Sequence, residues 1–164
     1  MGYRKKTYII FDGDKDMWAY GYMKGWNKSE HVDFDFHDAH EFNRLLDGSS
    51  EETVKRKLRE RFANTKQAIV LIGESTKELY RYVRWELETC LNLDMPIVAV
   101  NLNNKRQMDN VLCPPIIKDK AVVHVAFRMK IIKHALDNFC DNFVQYKHQT
   151  NLYYNDTVYS NLGL

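Results

Sequence analysis

The chain reads as an α/β protein built on a mainly parallel sheet, and three observations lead there. Short apolar segments of strand type recur along it: TYIIF (7–11), AIVLIG (68–73), PIVAVNL (96–102) and AVVHVAF (121–127). Between them lie longer stretches whose apolar residues return every three or four positions, the period of a helix packed on one side. The inner apolar segments lack polar alternation, which suits strands covered on both faces. Strands that alternate with helices connect in parallel, because each crossover runs back through its helix.

In order along the chain, TYIIF is the first strand, and residues 16–26 follow as a helix carrying Met17, Tyr20 and Trp26 among polar residues. VDFDF (32–36) alternates apolar and acidic, the pattern of an edge strand with one wet face, and the polar loop HDAHEFNRLLDG comes next. Ser49 with Glu52 three residues on forms a capping box, opening a helix whose Val54, Leu58 and Phe62 share a face. AIVLIG is the third strand. Ser75 and Glu78 repeat the capping-box pattern and open a helix to about Leu93. PIVAVNL is the fourth strand. Residues 103–120 are irregular around Pro114 and Pro115, AVVHVAF is the fifth strand, and residues 129–145 form a helix with Ile132, Leu136, Phe139 and Phe143 on one face. This order predicts a flavodoxin-like three-layer fold, with strand order 2-1-3-4-5 and helices on both faces. Ligands in that arrangement sit beyond the carboxyl ends of the first and third strands, at the loops after Phe11, Phe36 and Gly73. Residues 1–145 are expected to form the domain. Residues 146–164, polar and aromatic, form a C-terminal tail that packs back or meets a partner.

The 164 residues are 45% hydrophobic and 28% charged, with a net charge of +2 and no basic block. A nucleic-acid surface is therefore not expected. No segment approaches a membrane span, and the N-terminal residues lack the apolar core of a signal peptide. Cys90, Cys113 and Cys140 are odd in number and far apart, without metal-ligand spacing. A reducing, cytoplasmic setting follows.

The stretch IIFDGDKD (9–16) carries chemistry in its composition, because acidic groups at the end of a strand often hold magnesium or a phosphoryl group. Asp12 and Asp14 have the Asp-x-Asp spacing of haloacid-dehalogenase phosphatases. The third strand, however, ends in Gly73 rather than Ser or Thr, and Val100, Asn101 and Leu102 stand where a late acidic pair is needed. An EF-hand loop counted from Asp12 would need Gly and Glu where Met17 and Met23 stand. A receiver-type phosphoacceptor would need Asp in place of Gly73. No metal ligand set is expected. The helix STKELYRYVRWELETC offers another carboxylate. Glu86 lies beside the stripe Leu79, Val83, Leu87, Cys90 and Leu91, which places it at the margin of core and solvent near the crevice. A carboxylate there is partly desolvated, as catalytic groups often are. The other reading is a helix-face glutamate paired with a nearby arginine.

Taken together, IIFDGDKD, VDFDFHD (32–38), IVLIGEST (69–76), YVRWE (82–86), IVAVNLN (97–103) and CPP (113–115) resemble, in order and spacing, the TIR-like family that includes sensors of bacterial Thoeris antiphage defence. The resemblance runs from about Tyr8 to Phe139. It implies that Glu86 falls on the glutamate with which TIR enzymes cleave NAD. It also implies that Phe11, Asp12, Phe36, Asp38 and Ser75 line a nucleotide pocket, with Tyr82 and Trp85 supplying apolar wall. The family's tryptophan four residues before the glutamate is Tyr82 here, with Trp85 shifted along.

The implied reaction breaks the nicotinamide–ribose bond through an oxocarbenium-like transition state. Water as acceptor gives ADP-ribose, and an internal acceptor gives a cyclic isomer. NAD is the substrate, and no further cofactor is implied. The product would switch on a separate effector after a phage-derived trigger. Self-assembly is implied through the loop from His37 to Gly48, whose Phe42, Leu45 and Leu46 either pack on their own domain or meet a neighbour. The competing class is a TIR-like signalling or phage-protein-binding module without turnover.

Overall fold

The computed structural model describes residues 6–29, 35–38 and 48–164. Its centre is a six-stranded sheet in which every described pair of neighbours is parallel, in the order β2-β1-β3-β4-β5-β6. The strands are β1 (Lys6–Ile10), β2 (Asp35–Asp38), β3 (Gln67–Ile72), β4 (Ile97–Asn101), β5 (Val122–Ala126) and β6 (Leu152–Tyr153). The 2-1-3-4-5 order read from the sequence is present, with β6 added beyond β5. β3, β4 and β5 are buried along their whole length, as their unbroken apolar runs require.

The two faces of the sheet carry separate cores. On one, α1 (Met17–Ser29) brings Ala19, Tyr20 and Met23 against Ile9, Ile69, Val98 and Val125. On the other, α2 (Glu51–Phe62) and α3 (Tyr82–Asn92) bring Val54, Leu58, Val83 and Leu87 against Tyr8, Ile10, Val70 and Ala99. Strand residues alternate between the two sets because successive side chains point to opposite faces.

Several boundaries differ from the sequence reading, each for a local reason. α2 is capped by Ser50 rather than Ser49: the Ser50 hydroxyl accepts from the Thr53 N–H at 3.2 Å. The pattern at Ser75 is not a capping box. Ser75 has φ −116° and caps nothing; a single 3₁₀ turn, Thr76–Glu78, follows it, and α3 begins only at Tyr82. The C-terminal helix is broken into α4 (Met129–Ala135), a π-helical turn (Leu136–Cys140) and α5 (Phe143–Tyr146). There the amides of Asn138 and Asn142 donate to the carbonyls of His134 and Asn138, both at 2.8 Å, and side-chain bonds of this kind interrupt a regular ladder. β2 reaches Asp38, in register with Ile9; residues 32–34 of the expected strand lie outside the described residues.

The tail packs back. α6 (Asp156–Asn161) is capped by Asn155, whose side chain accepts from the Val158 N–H at 3.1 Å. It buries Tyr159 completely, and the Tyr159 hydroxyl accepts from the Ala126 N–H at 3.1 Å. The Arg106 guanidinium lies over the same ring at 4.2 Å. Among the described residues, no helix is long and apolar enough to cross a membrane.

Candidate active site

The acidic loop after β1 is organised first by its own backbone. Asp12 Oδ1 accepts from the N–H groups of Asp14 and Lys15, at 2.9 and 3.2 Å, and the Asp16 N–H returns to the Asp12 carbonyl at 2.8 Å. This is the local side-chain bonding by which aspartate shapes turns, and it steers the chain from β1 into α1. Asp12 and Asp16 point inward and are buried, while Asp14 is exposed. The alternation of the motif is thus an alternation of inside and outside. Among the described residues no three His, Cys, Asp or Glu side chains gather as a ligand set.

The loop after β3 meets this turn. Ser75 Oγ donates to Asp12 Oδ2 at 2.7 Å, joining two residues expected at one pocket. Thr76 Oγ1 accepts from the Gly73 N–H at 2.9 Å and lies 3.5 Å from Asp16 Oδ2. Gly73 is required by packing: a Cβ there would stand 2.4 Å from Asp16 Oδ2. Burial, and then the charge of Asp12, raise the Asp16 carboxyl above its ordinary value. Beside these residues opens a cleft of ≈ 590 Å³, lined also by Trp18, Leu102, Asn103 and Leu112. Sequence reasoning missed Asp16 and Trp18 as wall residues. The signal was present in Gly73, since a glycine ending a buried strand marks a close approach.

Glu86 stands elsewhere. It sits on α3, on the opposite face of the sheet from α1, and is 0% exposed. The expected position at the margin of core and solvent is therefore corrected. Glu86 follows Val83 by three residues and precedes Cys90 by four, which puts it on the inward stripe itself. Its neighbours feel it. Burial, and then the Glu86 carboxylate, push the Tyr8 phenol well above its ordinary value, and the same two causes push up the Cys90 thiol.

Tyr82 and Trp85 are half-buried beside this layer. They meet edge to face at 6.0 Å, and the Arg81 guanidinium covers both rings at 5.4 and 5.7 Å. Phe11 is a core residue on the α1 face, stacked on Tyr20 at 4.9 Å and 7°. Phe36 and Asp38 lie on β2, in register with Thr7 and Ile9; their side chains, and residues 39–47 of the loop expected to mediate self-assembly, lie outside the described residues.

A parallel 2-1-3-4-5 sheet, an acidic turn after β1 and a buried glutamate on the helix after β3 define a TIR-like α/β protein. Residues 8–107 match the family model of the Thoeris protein ThsB, TIR-like domain, and the chain belongs to that family, a TIR-like protein of antiphage defence. No curated protein matches it.

Proposed function

We propose that the protein is a TIR-type NAD-consuming enzyme that cleaves the nicotinamide–ribose bond, with Glu86 as its catalytic carboxylate. One observation carries this reading: Glu86 is a carboxylate held in an apolar layer, on a helix inside the family-matching stretch. A buried carboxylate is costly, and a perturbed environment of this kind is typical of catalytic groups. As the glycosidic bond breaks, positive charge develops on the ribose, and Glu86 offsets it while accepting from the ribose hydroxyls. The product is ADP-ribose or a cyclic isomer, and it activates a separate effector in the cytoplasm. NAD is consumed as substrate, with no further cofactor. Asp12, Ser75, Phe36 and Asp38 rim the nucleotide's seat, while Tyr82 and Trp85 shape its apolar wall and Phe11 supports it from the α1 side. Residues 1–145 form the catalytic domain, with 146–164 as its closing tail.

The complete burial of Glu86 gives a trigger its physical task. A phage-derived partner, or self-assembly through the loop from His37 to Gly48, opens a path from solvent to the carboxylate. The same burial favours a second reading, a non-enzymatic signalling or phage-protein-binding module in which Glu86 is structural.

Nicotinamide release from NAD, measured at low and high protein concentration and beside Glu86→Gln, separates the two readings. Release that rises with concentration and disappears in the variant supports the enzyme. No release, even on co-expression with phage components, overturns it in favour of the module.

A further inference from the structure

Glu86 lies inside a layer of helix on sheet, where a carboxylate keeps its charge and its direction through the donors that reach it. We propose that Tyr8 is such a donor, a positioning residue whose phenol hydroxyl hydrogen-bonds the Glu86 carboxylate, aims it and keeps it ionised. The inference rests on the reading of Glu86 as the catalytic carboxylate, and it adds a residue outside the nucleotide's seat.

Placement is the first support. Tyr8 sits mid-strand in β1, in register with His37 of β2 and Ala68 of β3, so its backbone is held from both sides. α3 packs directly on β1. Tyr8 shares one buried cluster with Val83, Leu87 and Cys90, the residues three before, one after and four after Glu86. The inward stripe of α3 therefore brings Glu86 down onto the part of the sheet from which Tyr8 rises. The Phe62 ring of α2 meets the Tyr8 ring edge to face at 4.8 Å and 80°, which fixes the phenol where α2 and α3 pack together.

Chemistry is the second. Tyr8 is 0% exposed, and among the buried, described members of that cluster it carries the one hydroxyl. Packing alone would be met by phenylalanine, whose ring has the same shape. The Cys90 thiol, one turn beyond Glu86, is a weak donor. A buried hydroxyl without an acceptor is unfavourable, and among the described residues that of Tyr8 completes no hydrogen bond in the free protein. Glu86 is the acceptor that acts on it. After burial, the charge of Glu86 and then its hydrogen bonding hold the proton on the phenol, with Cys90 adding to them and Arg61 opposing. Hydrogen bonds to catalytic groups are often long in the free enzyme and tighten in the substrate complex.

The test follows the protonation of Glu86 by carbon NMR of the full chain with carboxyl-labelled glutamate, the Glu86 signal being the one absent from Glu86→Gln. A donor to the ionised form lowers the pH at which a carboxyl takes up its proton. In Tyr8→Phe, which keeps the ring, the midpoint should rise by about one pH unit or more, the tenfold worth of a hydrogen bond to a charged group. Tyr8→fluorotyrosine, a stronger donor of nearly the same shape, should lower it, and it serves also if the phenylalanine variant does not fold. With NAD, Tyr8→Phe should lower kcat about tenfold or more and leave KM within about twofold.

Equal midpoints in the wild type and both variants overturn the proposal. So does a midpoint that moves in Arg61→Gln and not in Tyr8→Phe, which gives the carboxylate to Arg61, and so does an undiminished kcat in Tyr8→Phe. The NMR readout needs no turnover. A midpoint that moves as expected in a protein that releases no nicotinamide sinks the NAD reading and leaves the Tyr8 contact standing.

Discussion

Glu86 and Asp16 are both carboxylic acids taken almost wholly out of water, one on a helix packed on the sheet and the other in the turns beyond its strand ends. Asp16 belongs to a polar turn. Its backbone N–H returns to Asp12, its carbonyl receives the N–H groups of Ala19 and Tyr20, and its carboxylate fills the space that Gly73 leaves. Glu86 lies in the body of α3 beside Tyr8 and Cys90, where helix propensity alone would accept leucine as readily. A carboxylate held inside a layer of helix on sheet is the stronger sign of chemistry. One that also shapes the backbone carries two tasks and must be separated from its structural role by experiment.

The largest expected effect breaks the pair apart by activity. Glu86→Gln should lower nicotinamide release by about 100-fold or more, without lowering the melting temperature, since the amide keeps the shape and removes a buried charge. Asp16→Asn should leave release within about threefold of the wild type. An equal loss in both variants would erase the distinction between the two carboxylates.

A third buried group calibrates the cost of burial without a turn or a proposed reaction. His124 on β5 is wholly buried, and burial lowers its pKa from 6.5 to about 4. The folded protein keeps it neutral while the unfolded chain takes up the proton. Stability is therefore lost as pH falls from 6.5 towards 4, and is fully present above that window. Denaturant titrations at pH 7 and pH 4.5 should show His124→Leu escaping about 2–3 kcal/mol of this acid loss. Equal acid losses in the two proteins would mean that His124 is already solvated.

Gly73→Ala probes the packing under Asp16. The new Cβ would meet Asp16 Oδ2 at 2.4 Å, and the expected cost is about 1–3 kcal/mol, read as a fall in melting temperature of roughly 2–10 °C. Adding Asp16→Ala should recover part of that loss, because the clashing carboxylate is gone. Strict additivity would show that the alanine is accommodated elsewhere.

The smallest effect is the titration of Asp16 itself. Its folded pKa is raised, so the folded state holds the proton more tightly than the unfolded chain. Its contribution to stability is greatest at low pH and declines as pH rises from the ordinary 3.8 through the raised value. Asp16→Asn should gain on the wild type across that same interval and run parallel to it above. A constant gap at every pH would place Asp16 in full contact with water.

Much of the fold was legible because the strands announce themselves. AIVLIG and PIVAVNL cannot be exposed on either face, and the alternation around them leaves few topologies. β6 was not legible, because two residues carry no periodicity. α6 was not read either; its Asn155 cap stands out only once a helix is known to follow. Ser75 misled for a physical reason. Its hydroxyl has two possible clients, a helix N-terminus in its own segment and a carboxylate 63 residues away, and the distant one wins. At the candidate site, strand order put the loops after β1 and β3 side by side, and the family resemblance named Asp12 and Ser75 within them; the two meet in a hydrogen bond. The burial of Glu86 could have been read from its spacing to Val83 and Cys90, but polarity was allowed to outweigh position. Asp16 and Gly73 touch across 57 residues of chain, a contact that no local pattern encodes.

The tie between Tyr159 and Ala126 has a consequence for how the protein can be divided. The family-matching stretch ends at residue 107, just after β4. A polypeptide stopped there would leave β4 without the five register partners it has in β5, and would leave the Arg106 side chain without its ring. One stopped at residue 145 would keep β5, but would strip the Ala126 N–H of its acceptor and uncover the layer that Tyr159 closes. The signature by which the protein is recognised is shorter than the piece that must be synthesised before the signature can hold its shape.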